Sequence, residues 1–365
     1  MKLIFTGLIL AVCLLARETT AKDTHIDFCP ASVKNLFIIT IDGFRWQELF
    51  SGADSSIIND ERYTPDTSTI KSMYWAPSFE ERRKRLMPFF WNVLARRGCI
   101  YGNRSFGNKM NVANIYSLSY PGYSEMFTGQ ADIRISSNNK VENPNINVLE
   151  YLNSQDDLAG SVAAFTSWNV FPFILNTNRS HVNLNSGYEG VRGDDPLLEL
   201  EGEVESKAVY NKTGTRQDQL TFVAAKEYVQ KFKPSVVYIG FGETDEMAHL
   251  GRYDLYLEKA AQIDQMVGDL WHWLQANPAY KDNTTLVITS DHGRGKTSSK
   301  WTDHGFFIKG SSETWLALMG PNITTRGEIR SQEQIYLKQL AQTIASLLGK
   351  RFQPGVNIAA PIAIR

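Results

Sequence analysis

Six positions carry side chains that together suit metal binding: Asp42, Asp245, His249, Asp291, His292 and His304. Asp245 and His249 are four residues apart, which puts a carboxylate and an imidazole on one face of a helix. Asp291 and His292 are adjacent, so from a turn they can address different ions. His304 lies within Trp301-Thr302-Asp303-His304-Gly305. Asp with His is the mixed oxygen and nitrogen ligation that zinc or manganese accepts. One such residue alone is ordinarily a hydrogen-bonded structural group or a helix cap, but an ordered set of six is poorly explained that way. His25, His181 and His272 have no such company and read as structural or surface residues. Ser119 opens the run Ser119-Tyr120-Pro121-Gly122-Tyr123, and beside such a metal set its hydroxyl is worth weighing as a nucleophile. A hydroxyl is a poor nucleophile at neutral pH, and a divalent cation lowers its pKa enough to change that. A helix N-terminus also favours phosphate. The bland alternative is that Ser119 merely caps the helix over 121–128; Ser117 and Ser124 are its nearest neighbours of the same type.

These side chains need elements that bring them together. Leu36–Ile41 (LFIITI) is a continuous apolar, β-branched run ending at Asp42-Gly43. Leu286–Thr289 (LVIT) ends at Ser290-Asp291-His292-Gly293, and Val236–Ile239 (VVYI) leads through Gly240-Phe241-Gly242 into acidic residues. Runs of this kind read as buried parallel strands, with Ser161–Phe165 and Thr314–Met319 as further strands. Leu220, Val223, Ala224, Tyr228 and Phe232 recur at helical spacing, as do Leu257, Ala261, Ile263, Val267 and Leu270. Ile335, Leu337, Leu340, Ile344 and Leu347 form another apolar face closed by Gly349, and Leu86–Arg97 reads as a helix. Strands alternating with helices predict an α/β fold, a mostly parallel central sheet with helices on both faces. Ligands gather beyond the carboxyl ends of such strands. Residues 52–81 read as a polar loop. Residues 175–214, rich in Asn, Gly and Asp with an acidic run from Glu199 to Glu205, are the candidate for a small inserted cap or lid.

Across 365 residues, 38 Lys+Arg face 39 Asp+Glu for a net charge of −1, and hydrophobic residues make up 42%. That balance, without a basic run, excludes duplex nucleic acid or an anionic membrane surface as the main partner. Three cysteines exclude a disulfide scaffold or a cysteine-rich zinc module. Lys2, the apolar run Leu3–Leu15 and then Thr19-Thr20-Ala21 make a secretory signal peptide over residues 1–21. The run falls short of the roughly 20 apolar residues that span a bilayer. Residues 22–365 are therefore expected to form one exported domain, periplasmic or extracellular, without a membrane span. Asn-x-Ser/Thr sites at Asn103, Asn178, Asn211, Asn283 and Asn322 matter only in a eukaryotic secretory host.

The motifs Ile41-Asp42-Gly43-Phe44-Arg45-Trp46, Ser119 to Tyr123, Asp245 to His249, Ser290-Asp291-His292-Gly293 and His304-Gly305 stand in the order used by the alkaline phosphatase superfamily. They look most like its type I phosphodiesterase/nucleotide pyrophosphatase branch. The resemblance runs from about Leu36 to Leu348 and implies an alkaline-phosphatase-like fold. It implies two divalent ions, usually zinc and manganese in the mutase branch. Asp245, His249 and His304 would hold one, and Asp42, Asp291 and His292 the other, with the Ser119 oxygen beside it. It implies a serine alkoxide at Ser119, a phosphoseryl intermediate and a small-molecule phosphate ester as substrate. Asn139, beside Asn138, stands near the place of an Asn that binds the phosphoryl oxygen. The chain departs from the pattern in two places. Gly122-Tyr123 replaces an Asn-His pair. Ser167-Trp168-Asn169-Val170 stands where related monoesterases carry a Lys-x-Arg, which would leave Arg45, Arg294 or Lys296 to meet a dianionic monoester and tilts the reading toward a diester. Sulfatases need a Cys/Ser-x-Pro-x-Arg setting, and the Arg is missing here. A phosphoglycerate-mutase-like phosphomutase is disfavoured by the export signal. A catalytically silent metal-binding ectodomain is the rival from a different class.

In an oxidising compartment Cys29 and Cys99, the two cysteines beyond the signal peptide, are expected to pair. Thiol titration of protein taken from that compartment should find neither cysteine free; two titratable thiols would refute the pairing.

Overall fold

The run at 36–41 is strand β1 (Asn35–Ile41), buried along its whole length. A strand without polar alternation needs cover on both faces, and β1 has it. Phe37, Ile39 and Ile41 join one apolar cluster with the Asp218–Phe232 and Tyr253–Ala276 helices. Leu36 and Ile38 join a second cluster with the Ser119–Thr128 and Leu340–Leu347 helices. A computed structural model of the chain describes residues 33–188 and 214–364.

The remaining strands are β2 (Gly98–Tyr101), β3 (Lys109–Asn111), β4 (Val162–Thr166), β5 (Asn183–Ser186), β6 (Val236–Phe241), β7 (Thr284–Thr289), β8 (Glu313–Thr314), β9 (Leu316–Met319), β10 (Gly327–Glu328) and β11 (Gln334–Tyr336). Eight of them form one sheet in the order β10-β2-β9-β7-β1-β6-β4-β5, and β11-β3-β8 form a small second sheet. In the large sheet β9 alone runs antiparallel to its neighbours β2 and β7; the other pairings are parallel. This is the mostly parallel, two-sided α/β sheet expected from the sequence. The three runs that end in candidate ligands are neighbours, β7, β1 and β6, in matched register: Thr40 lies opposite Thr289 on one side and Gly240 on the other. Their carboxyl ends therefore open at one level.

Four boundaries differ from the sequence reading. The strand read at 314–319 is broken at Trp315, whose buried indole donates to Phe44 O at 2.9 Å, so Glu313–Thr314 pairs in the small sheet and Leu316–Met319 in the large one. The last helix starts at Leu340 and not at Ile335, because residues 334–336 pair with β3. The helix read over 86–97 begins at Pro88, because Leu86 ends the preceding helix and proline disfavours α geometry at Met87 before it; Phe89 and Phe90 N–H at the new start donate to the buried Asp264 carboxylate at 2.7 and 2.9 Å. The polar stretch 52–81 holds short helices at Ser55–Ile58, Thr67–Tyr74 and Phe79–Leu86. Its polarity is partly cap chemistry: Asp54, Asp66 and Ser78 accept from Ser56, Thr69 and Glu81 N–H.

The cap assigned to 175–214 begins inside the main body, since β5 is the edge strand paired with β4; residues 189–213 lie outside the described residues. So do residues 1–32, with the expected signal peptide and Cys29, while Cys99 is buried in β2. No helix among the described residues is long and apolar enough to cross a membrane.

Asp264 ties the long Tyr253–Ala276 helix to the helix start at Pro88. Asp264→Ala would strip two buried N–H groups of their acceptor and should lower unfolding free energy by about 2–4 kcal/mol, read as a fall in the urea midpoint. An unchanged midpoint would show that water replaces the carboxylate at no loss.

Candidate metal centre

Asp42, Asp291 and His292 sit just past strand ends, Asp245 and His249 lie on the short helix after β6, and His304 lies within the 290–312 connection that follows β7. Asp42 follows β1, and Gly43 turns the chain there at φ 58, a region glycine enters without a Cβ penalty. Gly43 N–H donates to Asp291 Oδ1 at 3.0 Å, tying the β1 turn to the β7 turn. After β6 the Glu243–His249 helix carries Asp245 and His249 one turn apart. Thr244 Oγ1 donates to Asp42 O at 2.6 Å, locking that helix against the same turn. The start of this helix and that of Asp218–Phe232 cap each other: Asp218 accepts from Gly242 and Glu243 N–H at 2.8 and 3.1 Å, and Glu243 accepts from Asp218 N–H at 2.8 Å.

Two groups result, Asp42/Asp291/His292 and Asp245/His249/His304, with the ligand atoms of each within 4.8 Å of one another. The first is fully buried and the second is partly open at His249. They share a wall, for the His292 and His304 rings stack with centroids 3.9 Å apart. Ser119 begins its helix beside the first group, with Oγ 3.2 Å from His292 Nε2 and 3.5 Å from Asp42 Oδ1. The hydroxyl is thus aimed at the ligand cluster and makes no bond to its own helix, which disposes of the capping alternative. The helix can come this close because Gly122 rests on β7's end; a Cβ there would lie 2.4 Å from Asp291 O.

Both buried imidazoles point Nδ1 at the backbone, His292 to Gly293 O at 2.9 Å and His304 to Ser117 O at 3.0 Å. Donation through Nδ1 leaves the Nε2 lone pair for a cation. Burial foremost, with the charge of Arg294 beside both rings, pushes them below the usual histidine range, so they are neutral. The acceptor for His304 is itself fixed: Ser117 sits at φ 48, its N–H bonded to Asn114 Oδ1 at 2.9 Å, and the buried Glu125 carboxylate holds Asn114 through N–H and Nδ2.

The carboxylates divide by environment. Burial, then the charges of Asp291 and Asp245, pushes Asp42 well above the usual carboxylate range. Burial and Asp245 push Asp291 up against the opposing bond from Gly43 N–H. Burial also opposes ionisation of Asp245, but the Arg294 guanidinium bonded to it outweighs burial and holds that group well below the usual range. Asp291 Oδ2 is buried and accepts no hydrogen bond. Two buried carboxylates pushed toward neutrality, one with an orphaned oxygen, beside neutral imidazoles: this donor set fits a divalent cation.

Other sequence expectations meet the structure as follows. Asn139 is exposed, with its own N–H on Ser137 Oγ; it is Asn138 whose Oδ1 accepts from Tyr120 N–H at 3.0 Å, beside Ser119. Of the three cations offered for a monoester, Arg45 is buried in a pair with Glu48, and Lys296 bridges to Glu313 at 2.5 Å. Arg294 alone reaches the ligands, bonded to Asp245. His272 is exposed against Phe89, and His181 is exposed at the end of a short helix. Two contributors went unread. Tyr123, kept protonated by burial and neighbouring carboxylates, donates to Asp42 Oδ2 at 3.0 Å; its signal was the one-turn spacing from Ser119. Thr244, bonded to Asp42 O, had no signal beyond lying beside Asp245.

Residues 83–347 match the type I phosphodiesterase / nucleotide pyrophosphatase family, and the chain belongs to that family. No curated protein matches the chain in sequence. Among solved structures, wild-type alkaline phosphatase PafA is similar at 11% identity and TM-score 0.63, over 91% of this chain and 98% of that one. The lipoteichoic acid synthase LtaP from Listeria monocytogenes is similar at 13% identity and TM-score 0.54, over 90% of this chain and 75% of that one. The phosphonate monoester hydrolase of Agrobacterium radiobacter is similar at 12% identity and TM-score 0.52, over 87% and 74%. These likenesses show an alkaline-phosphatase-like fold, and the family makes the protein a phosphoric ester hydrolase.

Chelation of the folded protein should abolish ester hydrolysis, and added zinc or manganese should restore it. His249→Ala and Asp291→Ala should each lower bound metal, measured by elemental analysis, whereas His272→Ala should not. Equal metal content in all three would detach these residues from the metal.

Proposed function

We propose that the chain is an exported two-metal hydrolase that moves a phosphoryl group from a phosphodiester first to Ser119 Oγ and then to water. Asp42, Asp291 and His292 would hold one divalent cation and Asp245, His249 and His304 the other, zinc in preference to manganese for a set with three imidazoles. The observation that carries this reading is the Ser119 hydroxyl, 3.2 Å from His292 Nε2 and 3.5 Å from Asp42 Oδ1.

When bound, two such ions supply Lewis acidity to the attacking and leaving oxygens. The protein's own contribution is orientation and proton traffic. Because His292 Nδ1 donates to Gly293 O, the Nε2 lone pair beside Ser119 is kept for the cation. The hydroxyl proton therefore leaves to solvent, and an oxygen lone pair is left for phosphorus. Attack forms the Ser119–phosphate bond and expels one alcohol, which takes a proton from solvent. Water then attacks the phosphoserine, releases the phosphate monoester and returns the proton to Ser119 Oγ. Tyr123 holds Asp42 by its second oxygen throughout.

Asn138, with Oδ1 fixed on Tyr120 N–H and Nδ2 unspent among the described residues, takes the phosphoryl-oxygen role first assigned to Asn139. The helix N-terminus offers less than its position suggests, since Tyr120 N–H is taken and Pro121 has none. The diester preference rests on charge: Ser167 ends β4 bonded to Asp218 and Thr221 where monoesterases of the superfamily carry cations. Export rests on the apolar N-terminal run, and one hydrolase domain over 22–365 on the continuity of the sheet.

Ser119→Ala should fold and keep its metal while turnover of a diester such as bis(p-nitrophenyl) phosphate falls by about three orders of magnitude or more. Ser119→Thr should recover part of it. Acid-quenched wild type should carry phosphate on the peptide containing Ser119. Near wild-type turnover in Ser119→Ala would leave the metal centre standing and remove the covalent step.

A further inference from the structure

The two ligand groups differ in charge, by one carboxylate and by one arginine. Asp42 and Asp291 bring two carboxylates to the first group, and their described partners include no lysine or arginine. The second group has one carboxylate, Asp245, and Arg294 is bonded to it through Nη1. Arg294 is 1% exposed. Its Nε donates to Trp301 O at 2.8 Å and its Nη2 to Thr302 O, so the guanidinium is fixed at its root as well as at its tip. Nη2 also lies 3.3 Å from His249 Nδ1. On the remaining side the backbone closes in: a Cβ on Gly43 would stand 2.8 Å from Nη1 and 2.6 Å from Asp245 Oδ1. The cation is built in against two of the three ligands of its group.

Resting on the two-ion reading above, we propose that Arg294 makes Asp245/His249/His304 the weaker and later-filled of the two cation sites, because an incoming ion must share Asp245 with a fixed guanidinium. Two consequences follow from the geometry. A divalent ion entering this group meets a net neutral pair, whereas one entering the other group meets two carboxylates and the orphaned Asp291 Oδ2. Arg294 Nη2, a donor facing His249 Nδ1, also opposes the Nδ1–H tautomer that would free Nε2 for the ion. His292 and His304 face no such opposition, for both meet backbone carbonyls through Nδ1. The cation thus weakens one site in charge and in tautomer while holding its ligands in place. It is a positioning residue that also sets metal exchange.

The test is calorimetric titration of the metal-free, full-length protein with Zn²⁺ alone. The wild type should show two classes of site, the weaker lost in His249→Ala and the tighter lost in Asp291→Ala. Arg294→Met, neutral and of similar length, should tighten the weaker class by roughly tenfold or more, since a nearby like charge is removed from a buried ion. Arg294→Lys, which keeps the charge, should leave it weak. Two classes of equal affinity, loss of the tighter class in His249→Ala, or unchanged zinc binding in a folded Arg294→Met would overturn the proposal. If Arg294→Met does not fold, the class assignments from His249→Ala and Asp291→Ala decide. Absence of zinc binding by folded wild type would overturn the two-ion reading itself, and this proposal with it.

Discussion

The site depends on holding Asp42 and Asp291 close together at the ends of two adjacent strands, away from water. Like charges so placed repel, and burial removes the solvent that would screen them, so both carboxyls are pushed toward their neutral forms. The surrounding structure is arranged to hold this unfavourable pair. Gly43 N–H and Tyr123 OH each donate to one of the two acids. Thr244 ties the next helix to the backbone of Asp42. Gly122 lets a third element close over the top. A donor set strained in this direction is relieved by a divalent cation, and the same strain links metal binding to the integrity of the site.

The sheet makes this arrangement possible. A parallel sheet delivers successive chain segments to one edge, and here β7, β1 and β6 end at matched levels. Asp42, Asp291 and His292 lie in the first turns beyond them, so these candidates ride on well-anchored backbone, while His304 comes from the longer 290–312 connection. The same economy appears one layer out. Asp218 and Glu243 each cap the other's helix, and Glu125 braces Asn114, which braces Ser117, which takes the His304 ring. These carboxylates lie outside both ligand groups and hold the residues that form them.

The sequence was most legible where chemistry and burial coincide. Three apolar runs ending in Asp or Asp-His announced both the strands and the ligands, because a buried parallel strand leaves no other place for such residues than its end. Legibility failed where a single side chain decides the backbone. Trp315 splits a strand that reads as continuous, and Pro88 with Asp264 sets a helix start that the apolar spacing runs through. It failed again at one-residue resolution, for Asn138 and Asn139 are equivalent in composition and only the fold chooses between them. Arg294 was visible as a cation near the motif, but its role depends on distance to Asp245, forty-nine residues earlier, which no local pattern encodes.

Charge selectivity and ligand placement meet at Ser167. In related monoesterases this strand end carries cations for a dianionic phosphate; here Ser167 Oγ donates to Asp218 Oδ1 at 2.6 Å and lies 2.7 Å from Thr221 Oγ1. Asp218 in turn holds the start of the Glu243–His249 helix through Gly242 and Glu243 N–H. A lysine at 167 would remove a donor from the buried carboxylate that orients Asp245 and His249. The proposed preference for a singly charged diester is therefore tied into the scaffold of the second ligand group. Shifting it toward monoesters would require a compensating change around Asp218, not one substitution at the strand end.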